Sequence, residues 1–219
     1  MEICKHKKGF TLIELLIVIA IIGMLAGIML PALSRSKEMA HRTQCLSNLK
    51  NIGLCLDMYS DANDELFPTN TVGLSKPAMW SLNLLYPDYV SDRRIFRCPS
   101  DPLVTVTTNS GIVANDAFDA DECSYGYDRT HSRSSGEFGV AIVSDRPPAD
   151  PIVNTTDNSP NHGGSGQNVA FVDGHVEFVA TPTSGWRFPD GSRDHIFLNA
   201  DLTATNTAGG TDTAIIHDG

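Results

Sequence analysis

The hydrophobic and polar positions divide the chain into three unequal stretches. From Leu15 to Leu33 the sequence reads LLIVIAIIGMLAGIMLPAL, an uncharged apolar run of about the length that crosses a hydrocarbon core as a helix. Beyond Pro31 the chain turns polar, yet Leu46, Leu49, Gly53, Leu56 and Tyr59 recur at three- and four-residue spacing, with Ile52 widening the stripe. That period predicts that the helix continues with one apolar face under a folded head, while Lys37, Glu38, Arg42, Lys50 and Asp57 face water or a neighbour. Asp61-Ala62-Asn63-Asp64 predicts its end, because these residue types favour turns.

After Leu66 the helical period gives way to prolines, glycines and short apolar stretches. Trp80 to Tyr89 predicts one short helix before Pro87, with its aromatics filling a core. Strands are expected at 139–144 (GVAIVS), 168–173 (NVAFVD) and 175–179 (HVEFV), all dense in Val, Ile and Phe. The last two flank Asp173-Gly174, a pair that favours a hairpin turn. From Thr181 the tail is rich in Gly, Thr, Asp and Asn, with apolar clusters only at 196–198 and 214–216, and reads as loops with two edge strands. The expected class is α+β: a long N-terminal helix, transmembrane in its first half and amphipathic in its second, packed on a small antiparallel sheet. The expected segments are 1–9, a leader; 10–33, the membrane half; 34–63, the amphipathic half; and 64–219, the head.

Charge sharpens this division. Lys5, Lys7 and Lys8 against Glu2 give the first nine residues +2, so everything after Gly9 carries −12 of a total of −10. Clustered cations on the folded part, which phosphate binding requires, are absent from the pattern, and nucleic acid is not expected as a partner. Basic residues before an apolar helix stay on the cytoplasmic side, which sends the acidic remainder to the far side of the membrane. An ordinary secretory signal ending near Ala32-Leu33-Ser34 is the alternative, but such apolar regions are shorter. Glu14, a carboxylate at the mouth of the apolar helix, calls for a partner.

Lys8-Gly9-Phe10-Thr11-Leu12-Ile13-Glu14-Leu15 resembles the type IV prepilin and type II secretion pseudopilin signature almost letter for letter. The resemblance implies cleavage by a prepilin peptidase between Gly9 and Phe10, N-methylation of Phe10, and pairing of Glu14 with the terminal amine of a neighbouring pilin or pseudopilin subunit. A charge in an apolar filament core is tolerable only when paired. Gly23, Gly27 and Pro31 would be the places where the helix loosens during assembly. The head also resembles the prepilin-type H-X9-DG group, through CLSNLKNIGLCLDMYSDANDELFP at 45–68, FRCPSD at 96–101, SYGYD at 124–128, and HGGSGQNVAFVDGHVEF at 162–178. Ten residues instead of nine separate His162 from the Asp173-Gly174 pair.

Three candidate chemistries remain in the head. His162, Asp173 and His175 offer a metal set across the hairpin, although adjacent strand residues alternate faces. Asp116, Asp119, Asp121 and Glu122 form a carboxylate-rich loop suited to calcium, without a full EF-hand pattern. The cysteines at 4, 45, 55, 98 and 123 contain no CxxC pair. Cys45 and Cys55 stand about 15 Å apart on one helix and cannot bridge. Cys98 with Cys123 is the expected disulfide, and Cys45 with Cys98 the alternative. No nucleophile elbow, phosphate loop or dinucleotide fingerprint occurs. The expected function is a filament subunit and not an enzyme, with a membrane-anchored periplasmic metal-dependent hydrolase and a single-pass binding module as the rival classes.

Overall fold

The computed structural model describes residues 10–69, 79–104, 122–133, 139–148, 156–185 and 192–197. Helix α1 spans Leu12–Ala62 and runs without interruption through Gly23, Gly27 and Pro31. By its internal contacts the chain divides into two compact units, Met1–Ala40 and His41–Gly219.

In the first unit the helix starts on a capping box. The Thr11 hydroxyl accepts the Glu14 N–H at 3.3 Å, and Glu14 Oε2 accepts the Thr11 N–H at 2.9 Å and its hydroxyl at 2.7 Å. Each residue thereby satisfies a backbone donor that the first turn would leave unpaired.

In the second unit α1 becomes a core helix. Its buried line is Cys45, Leu49, Ile52, Leu56 and Ser60, a strict three- and four-residue spacing. The stripe read from the sequence is therefore right in period, but its centre is displaced: Leu46, Gly53 and Tyr59 lie on the flanks and are only half-buried. Two of the charged residues expected to face water also touch the expected Asp173-Gly174 hairpin, Lys50 while staying exposed and Arg42 while half-buried. The Arg42 guanidinium lies 3.7 Å from the Phe178 ring centroid, and Lys50 Nζ donates to the Gly174 carbonyl at 2.5 Å. Lys50 reaches past the helix flank with its ammonium still wet, whereas the Arg42 Nε is buried.

A short helix α2, Met79–Leu82, continues as a 3-10 turn over Asn83–Leu85, and a second 3-10 turn covers Arg93–Phe96. The sheet is an antiparallel meander in the order β1 (Tyr125–Tyr127), β2 (Ala141–Asp145), β3 (Gln167–Phe171) and β4 (Val176–Val179). The expected hairpin is present, with Ala170 opposite Val176 and Gln167 opposite Val179. Its turn is wider than the Asp-Gly pair alone, since the Gly174 N–H bonds the Phe171 carbonyl and the Phe171 N–H bonds the His175 carbonyl.

Strands β2 and β3 are buried along their whole length. One sheet face joins α1, Leu82, Leu85 and Phe96 through Tyr125, Tyr127, Ala170 and Val172. The other packs Ala141, Val169, Phe171 and Val179 against Ile196 and Phe197. A bulge between Ala141 and Val143 breaks the alternation, and Ile142 and Val143 both join the helix-side core. The apolar cluster at 196–198 thus contributes two core residues covering the second face, while 214–216 lies outside the described residues.

Candidate functional site

The apolar half of α1 is the first candidate. Between Leu12 and Leu33 its large apolar side chains are exposed on every side of the helix, from 43% at Val18 to 79% at Leu12. Among the described residues none covers a face of it, as expected of a helix whose solvent is lipid or other helices. Residues 1–9, including Gly9, lie outside the described residues, and Phe10 is exposed ahead of the helix. Glu14 sits at the helix tip with its carboxylate on Thr11. A Cβ added at Gly23 or Gly27 would meet nothing within 4 Å, so no neighbour among the described residues requires glycine there.

The second candidate lies in the head. Cys45 on α1 and Cys98, just after the second 3-10 turn, form a disulfide with Cα atoms 5.2 Å apart. This corrects the expected Cys98–Cys123 bridge. Helix α1 packs directly on the segment leaving Phe96, whereas Cys123 is buried with its thiol donating to the Tyr125 carbonyl at 3.4 Å. Burial pushes the Cys123 thiol up to about 12. The Arg146 guanidinium binds the Cys123 carbonyl at 2.7 Å and the Asp101 carboxylate at 3.2 Å, a buried ion pair tying FRCPSD to the end of β2.

Against the disulfide stand His162 and Asp145. His162 Nε2 is 3.6 Å from Cys98 Sγ, 3.3 Å from Asp145 Oδ2 and 3.1 Å from Asn168 Nδ2. Both side chains are fully buried. Asp145 Oδ2 also accepts the Asn168 backbone N–H at 2.6 Å and its Nδ2 at 3.0 Å. His162 is held there by a left-handed backbone, φ 56° and ψ 28°, followed by Gly163 and Gly164 at φ 64° and 71°. A non-glycine residue in that region costs on the order of 1 kcal/mol, a cost the surrounding contacts must offset. The donor atoms of Cys45, Cys98, Asp145 and His162 all lie within 4.8 Å of one another.

The metal set considered from the sequence is thereby divided. His162 belongs to this buried cluster, whereas Asp173 and His175 pair with each other at the exposed hairpin turn. The interval between His162 and Asp173 is spent crossing β3, so it sets a strand length and not a ligand geometry. Of the calcium candidates, Asp116, Asp119 and Asp121 lie outside the described residues, and Glu122 stands 3.9 Å from the buried Arg93 guanidinium. Cys45 enters the sequence reading only as the alternative partner of Cys98, and Asp145 and Asn168 do not enter it as site residues. Their signal was slight: polar residues at the ends of apolar strands, where no local period marks them.

The prokaryotic N-terminal methylation motif family matches residues 4–30. The type II secretion system core protein G of Pectobacterium carotovorum subsp. carotovorum is 36% identical over 101 residues, covering 44% of this chain and 62% of that protein. The protein of the same name in Escherichia coli (strain K12) is 36% identical over 103 residues, 47% of this chain and 70% of its own length. That of Vibrio cholerae is 30% identical over 102 residues, again 47% of this chain and 69% of the relative. The chain therefore spans about two thirds of the length of these relatives, and less than half of it is aligned in each case. No solved structure matches the chain. A methylation motif at the head of an exposed apolar helix, with an α+β head behind it and more than two thirds of the Escherichia coli relative covered at this identity, has one reading: the chain belongs to the pseudopilin-like family of the type II secretion system core protein G.

Proposed function

We propose that this protein is a structural subunit of a type II secretion-type filament, held in the bacterial inner membrane by residues 10–33 with its head in the periplasm until it is assembled. A prepilin peptidase cuts between Gly9 and Phe10, the new amine of Phe10 is methylated, and the helix then packs among the helices of other pilin or pseudopilin subunits. The observation that carries this reading is the apolar half of α1, exposed all round and bearing a single acid at its tip. Such a surface is stable only in lipid or among like helices, and Glu14 needs a cationic partner once water is excluded. The capping box keeps the Glu14 carboxylate at the first turn of the helix, on Thr11, which supports a role for it at the N-terminal end. The open space at Gly23 and Gly27 supports close approach of a second helix.

Mass spectrometry of the mature N-terminus in the native host tests the processing step. A chain starting at Phe10 and carrying one extra methyl group is expected; an intact Met1 or a start near Arg35 would overturn it. In the same host Glu14→Ala should leave cleavage intact and abolish recovery of the chain in sheared filaments or cross-linked oligomers. Unchanged assembly would leave the chain as a membrane-anchored head with some other task.

A further inference from the structure

We propose that the head carries a two-state site, closed as the Cys45–Cys98 disulfide in one state and, with that bond reduced, binding a zinc ion through Cys45, Cys98, His162 and Asp145. Four elements that are remote in sequence bring these residues together: α1, the segment after the second 3-10 turn, β2 and the 161–164 turn. Two thiolates, an imidazole and a carboxylate form a donor set that zinc accepts in tetrahedral geometry. With bonds of about 2.3 Å to sulfur and about 2.0–2.2 Å to nitrogen and oxygen, neighbouring donors in such a site stand about 3.4 Å (N to O), about 3.6 Å (S to N) and about 3.8 Å (S to S) apart. His162 Nε2 already lies 3.3 Å from Asp145 Oδ2 and 3.6 Å from Cys98 Sγ. Two of the six edges of the tetrahedron are therefore in place; the sulfurs must separate, and the remaining pairs, all within 4.8 Å, must settle at about 3.6 Å.

The surroundings fit a cation better than they fit the bridge alone. Asp145 is a fully buried carboxylate whose basic neighbour among the described residues is His162, an imidazole that offsets its charge only when protonated. A buried charge of this kind is costly unless a positive charge is beside it. The Asn168 backbone N–H and side-chain amide hold Oδ2, and Asn161 Nδ2 reaches Oδ1 at 3.4 Å, an outer layer of the kind that orients metal-bound carboxylates. The left-handed backbone at His162 is the strain invested in bringing the imidazole into the cluster.

The two states exclude each other, because the disulfide ties up both thiolates. A dithiol reductant opens the bridge, passing two electrons and two protons to the S–S bond and leaving as its own disulfide; zinc binding to the resulting thiols then releases two protons, each S–H breaking as an S–Zn bond forms. A low-molecular-weight disulfide returns the site to the bridge; it takes two electrons from the thiolates and leaves as two thiols after taking up two protons, and the zinc ion is set free.

The test uses the full-length chain in detergent. Half is reduced with a phosphine, which passes two electrons to the S–S bond and takes its oxygen from water, and half is left oxidised. Each half is incubated with zinc chloride, desalted and analysed for metal. About one zinc per chain is expected in the reduced sample and less than about a tenth in the oxidised one. The Cys55→Ala/Cys123→Ala double variant should keep that difference, while His162→Ala and Asp145→Asn should each weaken binding at least about tenfold. Cobalt(II) in place of zinc should show thiolate charge-transfer absorption with tetrahedral intensity. Where reduction alone lowers the native circular dichroism, zinc should restore it. The proposal is overturned by a reduced chain that retains no zinc with or without native dichroism, by binding unchanged in the His162 and Asp145 variants, or by equal binding to the oxidised chain.

Discussion

Two leucines five positions apart on α1 separate the reading of its second half as a core helix from the reading as a surface helix. Leu49 is 0% exposed in the head core, whereas Leu54 is 49% exposed on the opposite flank. Leu→Ala at a fully buried site removes transfer energy and leaves a cavity, costing about 2–5 kcal/mol. At Leu54 half of a side chain worth about 1.5–3 kcal/mol when fully buried is already in water, and alanine is a good helix former, so less than about 1 kcal/mol should be lost. With a urea dependence of about 2 kcal/mol per molar, Leu49→Ala should lower the unfolding midpoint by about 1–2.5 M and Leu54→Ala by less than about 0.5 M. Urea titration of the full-length chain in detergent, followed by tryptophan fluorescence, reads both, since Trp80 packs against the same core. Equal shifts, or a larger one for Leu54, would show that the buried line through Cys45, Leu49, Ile52 and Leu56 is misplaced.

The same assay reads three further changes. Replacing both Cys45 and Cys98 by alanine in metal-free buffer removes a closure of 53 residues and should cost about 4 kcal/mol on chain entropy alone. Gly166→Ala should destabilise by more than about 2 kcal/mol, because its φ is +143° and a Cβ there would stand 2.4 Å from the Val179 carbonyl and 2.6 Å from the Phe178 ring. Gly174→Ala, at φ +79° with nothing nearer than 3.7 Å, should cost only about 1 kcal/mol, and a reversed order would refute the packing at the hairpin. Burial holds the Cys123 thiol at about 12 against an ordinary value of 9, so the unfolded chain ionises first and the stabilising contribution, complete below pH 9, is lost as pH rises toward 12. Unfolding free energy should therefore fall by roughly 1 kcal/mol per pH unit above pH 9 from this group, and Cys123→Ala should flatten that slope.

The residues that carry the family assignment could be read without any fold. An apolar run, basic residues before it and a carboxylate four residues past the Gly9-Phe10 pair are local facts, and their consequence in lipid follows from composition alone. The period of α1 and the β3–β4 hairpin are legible for the same reason, since helix and hairpin contacts lie a few residues apart in sequence. Strand β1 escaped because Tyr125–Tyr127 is three residues long and supports no period. The head's buried cluster escaped for a different reason. Which cysteine meets Cys98, and that His162 turns toward Asp145 and away from Asp173, depends on how α1, the 3-10 turn and the sheet pack, with partners 53 and 17 residues apart. Spacing along the chain carries no information about such distances. Residue types and periods decided what each segment becomes, whereas burying both sheet faces at once, under α1 on one side and Ile196 and Phe197 on the other, decided which polar side chains were enclosed together.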